Sequence, residues 1–479
     1  MFLNIDKQKS NSVALVDSEG NRITYGKLAE LLDVVGGQAR PHSLVFSLCK
    51  NNVGSMVGYL GFVEHGAVPV TLSAGIDDKL LSTLLEIYTP AYIWTPVEEE
   101  HRFKFKKVFE IYGYALLKTE NELYPMNENL QLCMTTSGTT GSPKLVRYKK
   151  GNLEANAKNV ADAFGWTENE RAICDLGMQY TMGLNVINTH LYVGATALLT
   201  THNLLSREFW DYIKKERGTN FTGVPFSYDI LCRLHFEQMD LPDLRTFSQG
   251  GGKLTEKRFM QLAEYAQKTG RRFIASFGTT ETSARITCLP PELAMTKIGS
   301  IGRAIPEGEL FLVDENGKEL TDTVAEGELC YKGPNVTMGY AVCKKDLMKG
   351  DEFNGEYHTG DLARRDVDGC YYITGRLSRF LKLLSYRVSL DQTERLIQQE
   401  FNIECACSGT DQRMNIYITD ESKKTQVLKF ISAKTGIFRN LFKVFVVQEI
   451  LRNESGKIRY KKMDAEYAGK GASDEHIIS

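Results

Sequence analysis

Apolar positions along the first three quarters of the chain alternate between two periods. Behind Thr24, a capping residue type, Leu28, Leu31, Leu32 and Val35 recur at the spacing of one helical face. Residues 43–48 then read as a strand, 52–66 as a helix and 68–72 as a second strand. The same alternation returns from Leu130 to about Gly278. Strand and helix in turn predict an α/β fold, a sheet with helices on both faces.

The pattern changes near Ile298. Short β-prone runs follow, punctuated by Asn316-Gly317 and Asp368-Gly369, which read as hairpin turns. From about Leu377 a smaller unit begins: a strand over 380–390, a helix over 391–401, strands over 402–407 and 414–418, a helix over 426–435 and a strand over 443–448. This predicts a large N-terminal domain over 1–376, with a small β-rich section, and a small α+β domain over 377–479. The tail from Gly469 is polar and reads as frayed.

Composition narrows the function classes. A formal net charge of -2 supplies no field for a polyanion, which argues against nucleic acid as the main partner. The ten cysteines form no CxxC pair and have no histidine at zinc-ligand spacing, so buried free thiols are expected. The longest apolar region, around 56–72, is broken by Glu64 and His65 and falls short of the roughly 20 residues a membrane span needs. The first residues lack a basic region followed by an apolar stretch, so no signal peptide is expected. A cytoplasmic protein without a membrane span follows.

Four segments carry candidate chemistry. Thr135-Thr-Ser-Gly-Thr-Thr-Gly-Ser-Pro-Lys144 follows an expected strand; backbone N–H groups and hydroxyls of Thr136, Ser137, Gly138, Thr139, Thr140 and Gly141 can wrap phosphate oxygens, with Lys144 as a point charge. Pro143 before the lysine separates it from a Walker A loop. Ser276-Phe-Gly-Thr-Thr-Glu281 follows a β-like run. Phe277 is suited to stack on a purine, Thr280 to bond a phosphate and Glu281 to hold Mg²⁺; alone, Glu281 fits a helix cap equally well. Gly250, Gly251 and Gly252 suit either a flat ring lying on bare backbone or a flexible turn. In Tyr357-His-Thr-Gly-Asp361, the aspartate suits the two hydroxyls of a ribose, and Arg376 a phosphate or ribose; each also fits an ordinary turn or surface residue. His358 reads as packing. In Asn453-Glu-Ser-Gly-Lys457, Gly456 permits a tight turn that projects Lys457, a compact charge for an oxyanion or α-phosphate; by itself the segment reads as a solvated basic tail.

Together and in this order the segments resemble the adenylate-forming superfamily: acyl-CoA synthetases, carrier-protein adenylation domains and luciferases. The resemblance runs from about Thr24-Tyr25 to Lys457. It rests on the phosphate loop through Lys144, on Phe277-Gly-Thr-Thr-Glu281 with Gly278 and Thr279 inside it, on Thr359-Gly-Asp361, on Gly375-Arg376 and on Ser455-Gly-Lys457. It implies a small mobile C-terminal domain and two half-reactions, with ATP and Mg²⁺ required and CoA as the expected acceptor. A carboxylate attacks the α-phosphate of ATP to give acyl-AMP and pyrophosphate; a thiol then displaces AMP. It gives Lys457 to the first half-reaction, Glu281 to Mg²⁺, Thr280 to the α-phosphate, Asp361 to the ribose with Arg376 nearby, and Phe277 and Gly251 to the adenine.

Two departures stand out. Ser378 occupies the expected hinge, where the family usually has Asp or Lys. Ser385, in Lys382-Leu-Leu-Ser-Tyr-Arg387, replaces a glycine expected to line the pantetheine path. By position the acyl pocket involves Tyr180, Gly183, Leu184, Val224, Pro225 and Gly250. The stretch Met178-Gln-Tyr-Thr-Met-Gly183 lacks the aspartate that amino-acid-activating members use for the amine, and Asp175 lies outside that alignment. The expectation is an AMP-forming acyl-CoA synthetase. The alternatives are a free-standing enzyme that loads a separate phosphopantetheinyl carrier protein, an amino acid being one acid it could load, and a nucleotide-binding protein that has lost catalysis.

Overall fold

The computed structural model describes residues 1–135, 144–383, 386–435, 437–453 and 456–468, without the side chains of Lys382, Tyr386 and Arg387. The phosphate-loop residues Thr136, Ser137, Gly138, Thr139, Thr140 and Gly141, together with Ser385, Ser455 and the tail from Gly469, lie outside the described residues. The chain divides into two compact units, Met1–Leu310 with Cys330–Tyr357, and Phe311–Leu329 with His358–Ser479.

The first unit is built on two large sheets. In the eight-stranded sheet, Leu44–Cys49 lies parallel between Val68–Ser73 and Tyr92–Pro96, and the order runs outward from Val68–Ser73 through Leu130–Thr135 and Leu145–Lys149. In the seven-stranded sheet, Arg272–Ala275, Thr246–Gln249, Asn220–Gly223, Arg171–Cys174, Thr196–Leu199 and Val13–Asp17 run parallel, and Arg22–Thr24 closes the edge antiparallel.

One apolar core joins the two sheets. Val45, Trp94, Leu132 and Met134 from the first meet Leu15, Ala172, Cys174 and Leu199 from the second through helices Tyr25–Gly36, Val53–Glu64 and Thr181–Tyr192. Every residue from Val53 to Val63 is buried, as expected of a helix that is apolar on all sides. Thr24 caps the first of these helices by accepting from Lys27 N–H at 3.3 Å, and Asn52 caps the second by accepting from Ser55 N–H at 3.0 Å.

Arg147 is a buried cation of this unit, fully shielded from solvent. It donates to the carbonyls of Tyr340 (3.0 Å), Met338 (3.0 Å), Lys349 (2.5 Å) and Gly350 (3.2 Å) and to the Glu352 carboxylate (2.7 Å). It thereby staples strand Leu145–Lys149 to the irregular stretch after residue 337.

The second unit pairs Asp361 to Arg365 of strand Glu356–Arg365 antiparallel with Tyr371–Arg376 in a hairpin turned at Gly369, whose φ is 73°. Its small α+β section carries a three-stranded sheet, Cys405–Thr410, Arg413–Ile418 and Phe442–Val446, covered by helices Leu390–Phe401 and Lys424–Thr435. The single strand expected over 380–390 is instead a pair, Phe380–Leu383 and Tyr386–Ser389, joined antiparallel. No glycine or proline stands between the two strands, so the fold-back lacks the usual turn residues, and the only mark along the chain is a change of apolar phase at Leu383-Leu384. The strand expected to start at Asn402 starts at Cys405, because Asn402 ends the preceding helix in the left-handed conformation (φ 53°). Among the described residues no helix is long and apolar enough to cross a membrane.

Replacing Arg147 by alanine removes the hydrogen bonds of its guanidinium to four carbonyls and Glu352 and leaves its buried space unfilled, although the Met338 and Lys349 carbonyls keep Glu352 N–H and Asn127 Nδ2 as donors. The expected loss of folding free energy is about 3 kcal/mol or more. Urea unfolding measures it; a loss under about 1 kcal/mol would mean the acceptors find water instead.

Candidate active site

Four neighbouring parallel strands of the seven-stranded sheet end at residues Cys174, Gly223, Gln249 and Ala275. The residues that follow are Asp175, Val224, Gly250 and Ser276, so one sheet edge receives most of the candidate site. Strand Arg171–Cys174 has Thr196–Leu199 on one side and Asn220–Gly223 on the other, so the chain order reverses there. The crevice beyond the strand ends at such a reversal is where open α/β sheets bind ligands.

The segment after Ala275 is held from several directions. Gly278 passes so close to the backbone that a Cβ would lie 1.3 Å from the Ala284 carbonyl oxygen, so no other residue fits. Tyr148 Oη donates to the Thr280 carbonyl (2.8 Å), and Thr181 Oγ1 donates to Thr280 Oγ1 (3.1 Å). Thr337 N–H donates to the Glu281 carbonyl (2.9 Å), and Asn335, fully buried, donates to the Thr282 carbonyl (2.7 Å). The Glu281 carboxylate accepts from Tyr340 Oη at 2.7 Å, and Lys144 Nζ stands 3.4 Å above the centre of the same tyrosine ring. Burial, then the Glu281 charge, hold the Tyr340 phenol well above its ordinary pKa, so it remains a donor. Phe277 is half-buried beside this cluster.

The expected acyl-pocket residues divide. Tyr180 is half-buried at the cap of helix Thr181–Tyr192, whereas Leu184 is 1% exposed within the central core. Gly183 is packed under the carbonyls of Leu176 and Gly177, where a Cβ would come within 2.4 Å of each. A Cβ on Gly251 would stand 3.1 Å from Val224, and one on Gly252 would stand 3.0 Å from Pro225. Gly250 is covered by the Met182 side chain, whose methyl would lie 2.4 Å from a Cβ at that position.

In the second unit, Asp361 is 2% exposed and accepts from Arg376 Nε at 2.7 Å on Oδ1, while its buried Oδ2 has no partner. Burial pushes this carboxyl above the usual aspartate value, against the Arg376 guanidinium and, more weakly, Lys457. Lys457 is exposed on a turn in which Asn453 Oδ1 accepts from its N–H (2.8 Å) and Gly456 has φ 77°. His358, expected to pack, is instead half-exposed with Nδ1 3.4 Å from Glu328 Oε2.

A model of the family described as AMP-binding enzyme matches residues 3–341. The chain belongs to that family. It is similar to 2-succinylbenzoate--CoA ligase of Bacillus cereus (strain Q1), with 27% identity over 94% of each chain. It is also similar to oxalate--CoA ligase of Arabidopsis thaliana, with 24% identity over 95% of this chain and 96% of the relative. In fold it matches O-succinylbenzoate coenzyme A synthetase of Bacillus subtilis in complex with AMP, with a TM-score of 0.77, 22% identity, and coverage of 96% of this chain and 97% of that one.

Several residues of this AMP-binding enzyme went unmarked by the sequence segments. Tyr340, Tyr148 and Thr181 support Thr280 and Glu281, and Met182 covers Gly250. Arg379 ion-pairs with Asp391 and with Glu394 (Nη2 to Oε1, 2.6 Å) and stands 3.9 Å from the Tyr460 ring centre. Burial raises the Glu394 carboxyl to about 7 in spite of Arg379. Each contact crosses many residues of sequence, so local pattern carried no sign of it.

Asp175 went unused as well. Its Oδ1 is closed to solvent and unpartnered, and burial pushes its carboxyl up to about 7 from 3.8. Between about pH 4 and pH 7 the folded enzyme therefore keeps a proton that the unfolded chain has released, and this carboxyl lowers stability as pH rises through that window. Asp175→Asn cannot ionise. Its stability relative to the native chain should climb from pH 4.5 to pH 8, by at most about 4 kcal/mol. Thermal melts across that range test this, and an equal offset at both ends would refute the assigned titration.

Proposed function

We propose that this chain activates a carboxylic acid by joining it to AMP and passes the acyl group to the thiol of CoA. In the first half-reaction a carboxylate oxygen bonds to the α-phosphorus of ATP as the bond to pyrophosphate breaks. In the second, the thiol sulfur bonds to the acyl carbon, the thiol proton is released, and AMP leaves. The observation that carries this reading is the braced Thr280–Glu281 cluster at the sheet edge, in a chain matched by the AMP-binding model over 3–341.

The residues present fit the nucleotide and its metal. Asp361 offers a buried, unpartnered oxygen of the kind a ribose hydroxyl satisfies. Glu281 and Thr280 supply hard oxygen donors of the type Mg²⁺ prefers. Bound there, Mg²⁺ would neutralise phosphate charge. The chain's own groups do the positioning: Tyr340 fixes the Glu281 carboxylate, Thr181 and Tyr148 fix Thr280, and Lys144 and Lys457 supply positive charge.

The functional hinge lies after Arg376, around Ser378, with 1–376 as the nucleotide-binding domain and 377–479 carrying Lys457. In support, Arg379 anchors the start of that small domain to Asp391, Glu394 and Tyr460, three residues beyond Lys457. The acyl group is a non-amino carboxylic acid, since no aspartate occurs in 178–183. CoA is preferred to a carrier protein because similar relatives carry the name CoA ligase. The free cysteines, most of them buried, suit a reducing compartment such as the cytoplasm.

Acid-dependent exchange of labelled pyrophosphate into ATP, across aliphatic, aromatic, hydroxy and amino acids, tests adenylation and identifies the acid class. Lys457→Ala should slow exchange by about 100-fold or more while leaving the melting temperature nearly unchanged. A large loss of melting temperature would make Lys457 structural. Nucleotide binding without exchange for any acid would revive the non-catalytic alternative.

A further inference from the structure

The Thr359-Gly360-Asp361 turn is held by a side chain that no motif marks. Gly360 has φ 71°, left-handed geometry that takes its N–H out of the regular strand ladder. That N–H donates to Glu328 Oε1 at 3.0 Å, so a side-chain carboxylate replaces a backbone partner. The other Glu328 oxygen meets His358 Nδ1 at 3.4 Å. Next to it, Thr359 Oγ1 donates to the Leu329 carbonyl (2.7 Å) and accepts from Asp361 N–H (3.0 Å). The Gly360 carbonyl in turn accepts from Leu377 N–H at 2.8 Å. Glu328 and Leu329 thus hold Gly360 and Thr359, Leu377 holds the Gly360 carbonyl, and the Asp361 carboxylate follows directly, with Oδ1 on Arg376 and Oδ2 buried without a partner.

We propose that Glu328 is the positioning residue for nucleotide ribose recognition: it pins the left-handed Gly360 turn so that the unpartnered Asp361 oxygen is presented to a ribose hydroxyl. The physical reason is preorganisation. An aspartate on an unpinned glycine turn has to be ordered by each arriving nucleotide, and that cost is taken from binding. A carboxylate bound to a backbone N–H is a charge-assisted contact, stronger than a neutral one. The Gly360 N–H needs an acceptor oxygen within reach, so reach sets the turn and the charge adds strength to the contact. This inference rests on the proposed ATP-dependent function and on Asp361 as the ribose contact.

The test compares ATP with 2′-deoxy-ATP in pyrophosphate exchange. The native enzyme should prefer ATP. Glu328→Ala should raise the KM for ATP about tenfold, leave kcat within about twofold and raise the KM for 2′-deoxy-ATP, which keeps one of the two hydroxyls, clearly less, so that the preference shrinks. Glu328→Asp keeps the charge but withdraws the acceptor by one methylene, and should behave like the alanine variant even if that one folds poorly. Glu328→Gln keeps an acceptor oxygen at full reach and should restore most of the preference. Asp361→Ala serves as the reference. If it abolishes the preference while both Glu328→Ala and Glu328→Asp retain it, the positioning role is wrong and the ribose contact stands. If Asp361→Ala retains the preference, the ribose contact itself is wrong and the inference falls with it. Equal losses with both nucleotides would make Glu328 a general structural residue and would also overturn the proposal.

Discussion

Helix Val53–Glu64 is apolar on every side and has to be enclosed. The eight-stranded sheet covers one side of it, and helices Tyr25–Gly36 and Thr181–Tyr192 carry the same core across to the seven-stranded sheet. Because the strands of that second sheet run parallel, their carboxyl ends emerge together. Val224, Gly250 and Ser276 are neighbours for that reason, although long stretches of chain separate them. The placement of these sheet-edge residues thus follows from the parallel order of the second sheet.

Buried polar groups of the protein fall into two kinds. Arg147 is saturated by carbonyls and a carboxylate, and Asn335 is bonded through both ends of its amide. These are braces: they hold irregular chain next to the sheets. Asp175 and Asp361 differ, since each keeps a buried oxygen without a partner. Burial lifts both carboxyls, which is the cost of keeping an acceptor unfilled. For Asp361 a ribose hydroxyl is a natural occupant. Arg285 is an intermediate case. It is 1% exposed and bonded to Asn185, Thr222 and Ser248, with no ion-paired carboxylate among the described residues, and burial lowers its pKa to about 10.

Much of the fold was legible along the chain. Thr24 and Asn52 start their helices where capping chemistry expects, and strands and helices alternate through the first unit as the apolar periods indicate. The tight turn at Gly456 and the hairpin at Gly369 followed from glycine alone. What misled was an element without glycine or proline to punctuate it: the fold-back between Phe380–Leu383 and Tyr386–Ser389 shows along the chain only as a change of apolar phase at Leu383-Leu384.

The sequence by itself determined the chemistry on offer: a hydroxyl- and glycine-rich loop ending in Lys144, a Thr280-Glu281 pair behind a strand, an aspartate after a glycine turn, and a lysine on a second one. Those are local properties of residue type and spacing, set by backbone freedom and side-chain charge. Only the tertiary structure decided which partners hold them. Tyr340 on Glu281, Met182 on Gly250 and Glu328 on Gly360 are contacts between residues remote in sequence. Hydrogen-bond geometry and close packing depend on distances in space, and no periodicity along a chain encodes them.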